Sequence, residues 1–248
     1  MKPTLILVGA DKGGVGKTTI SRALLDYFAR KNVLTRAFDT ENPRGSLRRF
    51  YPTMTEVIDL GHVADQMKVL DTMESANVPV TVVDFKAGNL SYALDLFERI
   101  GVLEAARNGV FNLGLMHVVG PSIASLDEIG EIAKYLQGVS YVVARNSINE
   151  TNFFEWDEAT HRKYFSAIPK AQEINLPKLN EMAYEQVDVA GVTFKDFIDN
   201  KSADGTAGKF SFVLRGYVRK WCSEIDAEFA RVQMLADIIS GGRAPGHN

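Results

Sequence analysis

The chain is 248 residues long, which suits one α/β domain burying its own core, and its 46% apolar and 24% charged residues exclude a collagen-like or extensively disordered polypeptide. A formal net charge of −3 excludes the overall positive field that holds a protein non-specifically on nucleic acid, so only local basic patches remain for that task. One cysteine, Cys222, excludes an intramolecular disulfide and a cysteine-ligated metal or iron–sulfur cluster built by one chain alone, and it fits a reducing compartment.

The apolar run at residues 5–8 is too short for a signal peptide or a membrane span, so a cytoplasmic protein is expected. Residues 4–8 follow a proline, precede a glycine-rich loop and predict a buried strand. From Thr18 the apolar residues Ile20, Ala23, Leu24, Tyr27 and Phe28 recur at helical spacing, and residues 33–38 predict a second strand. The alternation goes on with strands at 79–85, 110–119 and 139–144 and helices at 92–100, 125–136 and 178–187. These strands are mostly apolar rather than alternating, the pattern of strands buried on both faces. They predict a three-layer α/β fold: a mostly parallel sheet with helices on both faces.

Residues 150–165, with Phe153, Phe154 and Trp156 among charges, read as an insertion in an otherwise single domain over 1–248. The apolar positions from Phe210 through Trp221 and Phe229 to Ile239 predict one long amphipathic helix, with Cys222 on its core side and a frayed tail at 241–248. His62, His117, His161 and His247 show no metal-ligand spacing and are given no role.

Between the first strand and the first helix stands Asp11-Lys12-Gly13-Gly14-Val15-Gly16-Lys17-Thr18-Thr19. Glycines let successive backbone N–H groups curl toward phosphate oxygens, and the helix N-terminus adds donors and its dipole. Lys17 supplies the neutralising charge, and the Thr18 hydroxyl suits magnesium. The expected ligand is therefore a nucleoside triphosphate with Mg²⁺, although Asp11 stands where the strict motif has glycine. Two later strands end in acidic residues: Asp39-Thr40-Glu41, and Asp84 after Val82-Val83.

Lys12 to Thr18 match Lys-Gly-Gly-x-Gly-Lys-Thr, and with this loop the chain resembles the deviant Walker A ATPases of the ParA/MinD superfamily, SIMIBI-class P-loop NTPases. The polar Asp11 looks more like ParA. The resemblance implies that Lys12 reaches across an ATP-sandwich homodimer to the partner's phosphates. It implies that Asp39 holds a magnesium-bound water, that Asp84 faces the metal, and that Glu41 orients the attacking water. The family has aspartate at the place of Glu41, and the extra methylene implies slow hydrolysis. Lys86 replaces a usual proline, and Gly88 suits a switch loop. Asn146 matches the asparagine that reads the nucleobase edge, and Ala167-Ile168-Pro169-Lys170 resembles a later segment near the base. With no Asn-Lys-x-Asp guanine signature, ATP is favoured over GTP.

The function so implied is a weak ATPase and dimerisation switch for plasmid or chromosome partition or cargo positioning, stimulated by a ParB-like activator protein. Arg44, Arg48, Arg49, Arg215, Arg219 and Lys220 are candidate contacts to non-specific DNA, although Glu224, Asp226 and Glu228 lie among the last three. Residues 239–248 lack a lipid-inserting helix, so no membrane partner is expected. The alternative is an ATP-dependent metabolic ligase of the dethiobiotin synthetase or cobyrinic acid amidation type, for which no substrate motif stands out.

Overall fold

The computed structural model describes residues 2–73, 78–120, 123–147, 158–166, 168 and 170–242. The apolar run after Pro3 forms β1 (Thr4–Gly9), buried throughout, and it takes the centre of the sheet because both of its faces are apolar. It pairs in parallel with β4 (Val80–Asp84) on one side and β5 (Asn112–Val119) on the other. Outside β4 lie β2 (Thr35–Asp39) and β3 (Thr55–Val57), and outside β5 lie β6 (Ser140–Asn146) and β7 (Gln172–Leu176). The order is β3-β2-β4-β1-β5-β6-β7, parallel at every pairing. A parallel sheet gathers all of its strand C-termini along one edge, so Gly9, Asp39, Asp84 and Asn146 converge there.

The helices are α1 (Lys17–Arg30), α2 (Val63–Leu70), α3 (Leu90–Arg99), α4 (Val102–Arg107), α5 (Ile123–Ile132), α6 (Glu158–Phe165), α7 (Glu181–Ala190), α8 (Phe194–Ile198), α9 (Phe212–Ala230) and α10 (Gln233–Gly242). Side chains of β1 alternate between two apolar layers. Ile6 and Val8 join α1 and α7 to α10, whereas Leu5 and Leu7 join α2 to α6. Helices on both faces of a parallel sheet complete the expected three layers.

Several elements differ from the sequence reading. The long apolar stripe is broken at Arg231 and Val232 into α9 and α10. Ser211 caps the start of α9 by accepting from the Leu214 N–H, and the Gln172 side chain accepts from the Gln233 N–H at the start of α10. The bend drops Met234 onto Gly114, where an added Cβ would collide with its sulfur. Of the stretch read as an insertion, 150–157 lie outside the described residues, whereas 158–165 form α6 and bury Tyr164 and Phe165 in the core. Helix α10 takes in residues 241 and 242 of the expected tail, and the remainder lies outside the described residues.

A buried polar cluster joins α1 to the segment before β3 and to α8. Asp26 accepts from the Tyr51 hydroxyl at 2.8 Å and the Lys195 N–H at 3.0 Å. The neighbouring Arg22 guanidinium lies between Phe50, 3.4 Å from the ring centroid, and Phe194, at 4.3 Å. Burial pushes the Asp26 carboxyl up to about 6, against its two hydrogen bonds and the charges of Arg30 and Arg22. A carboxyl raised above its unfolded value near 4 binds more protons in the folded state, so its contribution to stability is present at low pH and fades as pH rises through 6. Urea unfolding at several pH values should therefore show wild type gaining on Asp26→Asn by up to about 1 kcal/mol per pH unit between pH 6 and 4. Wild type losing ground to Asp26→Asn as pH falls over that interval would contradict this assignment.

Candidate nucleotide site

The loop leaving β1 turns through Gly14 and Gly16, whose φ values of 72° and 94° are open to glycine at little cost. Val15 between them is buried against Gly120, and its carbonyl accepts from Asn146 Nδ2 at 2.8 Å. Gly16 caps α1 without any side-chain bond, so the first-turn N–H groups of that helix face the crevice as donors for an anion. Asp11 is turned inward: its carboxylate accepts from the Leu90 N–H at 2.8 Å and from Ser91 at the start of α3. Its carbonyl accepts from the Gly88 N–H at 2.9 Å, which ties the phosphate loop to the loop after β4.

Lys17 is buried at the start of α1, and its Nζ donates to the Lys12 carbonyl at 2.7 Å. Burial lowers its pKa, opposed by the charges of Asp84, Glu128, Asp11 and Glu41. The Thr18 hydroxyl donates to Asp84 Oδ2 at 2.7 Å and the Ser21 hydroxyl to Oδ1 at 2.9 Å. Asp84 is fully enclosed, and burial together with the nearby charge of Asp39 pushes its carboxyl up to about 7, despite those hydroxyls and Lys17. Asp39 accepts from the N–H groups of Glu41 at 2.8 Å, Leu47 at 2.6 Å and Arg48 at 3.3 Å. It thereby shapes the loop after β2, and Ser46 in that loop donates to the Glu41 carboxylate.

Lys17, Thr18, Asp39, Glu41, Asp84 and Lys86 line one cavity of about 300 Å³. Two buried carboxylates beside a threonine hydroxyl form an all-oxygen set that suits Mg²⁺. Among the described residues no cluster of three His, Cys, Asp or Glu side chains could hold a metal ion.

A smaller pocket shares Thr19 and Tyr184 with this cavity and is also lined by Asn146, Pro177, Lys178 and Trp221. Trp221 Nε1 donates to the Pro177 carbonyl at 2.7 Å, fixing the ring there. Asn146 is thus brought to the site by β6, with one of its two amide N–H donors committed to the phosphate loop. Lys170 is not brought there. It precedes β7 and lines a crevice with Thr4 and Asn112 at the opposite edge of the sheet, whereas Pro177 and Lys178, which follow β7, line the smaller pocket. Pro169 lies outside the described residues.

Sequence reasoning missed Ser21, Tyr184, Trp221 and Glu128. Ser21 alone had an available signal, since it lies one helical turn beyond Lys17 and Thr18. Of the expected DNA-contacting cations, Arg215 is half-buried and donates to the Ile198 carbonyl, Arg49 pairs with Asp188 and Lys220 with Glu224. Arg44, Arg48 and Arg219 are exposed.

No protein-family model matches the chain. Among curated proteins it is similar to MobD of Acidithiobacillus ferrooxidans, 31% identical over 91 residues, a match spanning 36% of this chain and 40% of MobD. Among solved structures it is similar to a ParA family ATPase from Chlorobium tepidum TLS, with a TM-score of 0.51 and 13% identity over 90% of this chain and 99% of that one. It is similar to MinD complexed with Mg-ADP from Pyrococcus horikoshii OT3, with a TM-score of 0.51 and 16% identity over 92% and 100%. It is also similar to a chain of the MinC:MinD complex of Aquifex aeolicus, with a TM-score of 0.52 and 13% identity over 99% of both. No helix among the described residues is long and apolar enough to cross a membrane. Seven parallel strands with a phosphate loop at the end of the central one, and these likenesses over most of the chain, give it the fold of the ParA/MinD-type P-loop NTPases.

Proposed function

We propose that the chain, as one domain, binds ATP with Mg²⁺ in the cavity between Lys17 and Asp84, hydrolyses it slowly, and uses ATP to bring two copies together in a ParA-like switch. The observation that carries this reading is the convergence of Lys17, Thr18, Asp84, Asp39 and Glu41 on one cavity at the strand C-termini. In it the α1 N-terminus and Lys17 receive the phosphates, Thr18 and the two aspartates would hold magnesium, which would neutralise charge on the phosphate oxygens, and Glu41 aligns the attacking water. Phosphoryl transfer asks the protein for positioning and charge stabilisation, which these groups supply. The solved ParA family ATPase and the Mg-ADP complex of MinD share the fold and support the ligand class. The base lies in the pocket of Asn146, Pro177 and Tyr184.

Lys12 stands exposed at the mouth of the loop, with its backbone anchored, and serves the second nucleotide of the pair. A ParB-like activator, DNA contacted through Arg44, Arg48 and Arg219, and a role in partition or cargo positioning extend the same reading. The membrane is not a partner in it. Sedimentation with and without Mg-ATP tests the switch: wild type should double in mass with ATP, while Lys12→Ala should bind ATP within a few-fold of wild type and stay a monomer. Equal dimerisation by wild type and Lys12→Ala would sink the sandwich arrangement.

A further inference from the structure

Helix α5 carries an acidic side chain beneath the phosphate loop, a place where negative charge opposes the proposed ligand. Glu128 is only 5% exposed and sits among Leu126, Ile129 and Ile132. Burial raises its carboxyl, yet the net position is below the ordinary value, because His117 and the backbone N–H groups of Asp11 and Lys12 bind the charged form. Its Oε1 accepts from the Asp11 N–H and lies 3.2 Å from His117 Nε2. His117, fully buried on β5, lies 2.9 Å through Nδ1 from the Tyr141 hydroxyl on β6. One line of polar groups thus runs from β6 through β5 and α5 into the loop.

The line continues past the loop backbone. Lys12 is held at its N–H by Glu128 and at its carbonyl by Lys17 Nζ, 2.7 Å away. Glu128 is also among the charges that oppose the burial penalty on the Lys17 ammonium. Charge-assisted hydrogen bonds to backbone N–H groups are short and strong, and an enclosed set of them fixes geometry. With the first two N–H groups of the loop turned inward, Gly13 and Gly14 are left exposed at the crevice.

We propose that Glu128, oriented by His117 and Tyr141, is the positioning residue of the phosphate loop: its carboxylate holds the Asp11–Lys12 backbone and, through the Lys12 carbonyl, sets the Lys17 ammonium for the phosphates. The consequence for ligand binding rests on the nucleotide reading above, whereas the anchor itself does not.

Two readouts on wild type, Glu128→Gln and Glu128→Ala test it. Amide hydrogen exchange at Asp11 and Lys12 without nucleotide should be about tenfold faster in Glu128→Ala and intermediate in Glu128→Gln, which keeps one acceptor oxygen. Mg-ATP affinity should fall in the same order, by about tenfold in Glu128→Ala. Amide exchange in the core strands should be unchanged, which a merely destabilised fold would not allow. Equal exchange across the variants, or equal affinity where wild type binds Mg-ATP, would overturn the inference, and should Glu128→Ala fail to fold, wild type against Glu128→Gln decides by the same rule. Wild type that binds no Mg-ATP overturns the nucleotide reading and the consequence for Lys17, while the exchange readout still judges the anchor. Wild type that binds beside an indifferent Glu128→Gln overturns this inference alone.

Discussion

Replacing Lys17 with alanine is expected to weaken Mg-ATP binding by about a hundredfold or more, the scale of removing one partner from a buried, hydrogen-bonded charge pair. Two effects oppose each other at this position. The ammonium is buried and its charged form disfavoured by that burial, so its removal relieves a cost in the empty protein. In the complex the same burial raises the worth of its contact with phosphate, because water screens it little. The second effect governs affinity and the first governs the empty fold, so Lys17→Ala should melt near wild type without nucleotide while calorimetry finds its ATP binding all but lost. Retained affinity would move the ligand away from this loop.

The second large effect is expected in turnover. Glu41→Ala should slow ATP hydrolysis by about a hundredfold, in the range measured for side chains that position or activate an attacking group, and should leave the ATP-bound dimer trapped. The structure separates this residue from its neighbour. The Glu41 backbone N–H stays on Asp39 whatever its side chain, and the carboxylate gives up its bond with Ser46 and its charge near Lys17. Asp39→Ala, in contrast, would strand three backbone donors and disorganise the loop after β2. Phosphate release with parallel ATP-binding measurements decides the matter: wild-type turnover in Glu41→Ala would remove this carboxylate from the chemistry.

Much of the centre of the fold was legible because a strand buried on both faces is written as a continuous apolar run, as in residues 4–8 and 79–85. The loop between the first strand and helix was legible because the required φ > 0 at Gly14 and Gly16 leaves glycine as the ready choice. The sheet edges were less legible. Strand β3 has three residues, and β7 reads Gln-Glu-Ile-Asn-Leu, with two buried positions and too little pattern to announce a strand. With β7 unannounced, the expected base-side segment was set before that strand, and Lys170 lies at the sheet edge opposite the phosphate loop. The stripe from Phe210 to Ile239 kept helical spacing across a bend, because both halves pack on the same layer and the interruption lies in backbone caps rather than side-chain type. Glu128 and His117 stood in no motif. Their partnership depends on α5 and β5 meeting under the loop, and tertiary placement of that kind leaves no local period to read.

The measurement that bears most directly on the account is calorimetric titration of the wild-type chain with ATP, with magnesium and with a chelator. The expected result is one nucleotide bound per chain, saturable, much tighter with magnesium, and not matched by GTP. An absence of saturable binding at millimolar ATP with magnesium present would contradict the account, since it would leave Lys17, Thr18 and Asp84 assembled around a cavity that takes no phosphate.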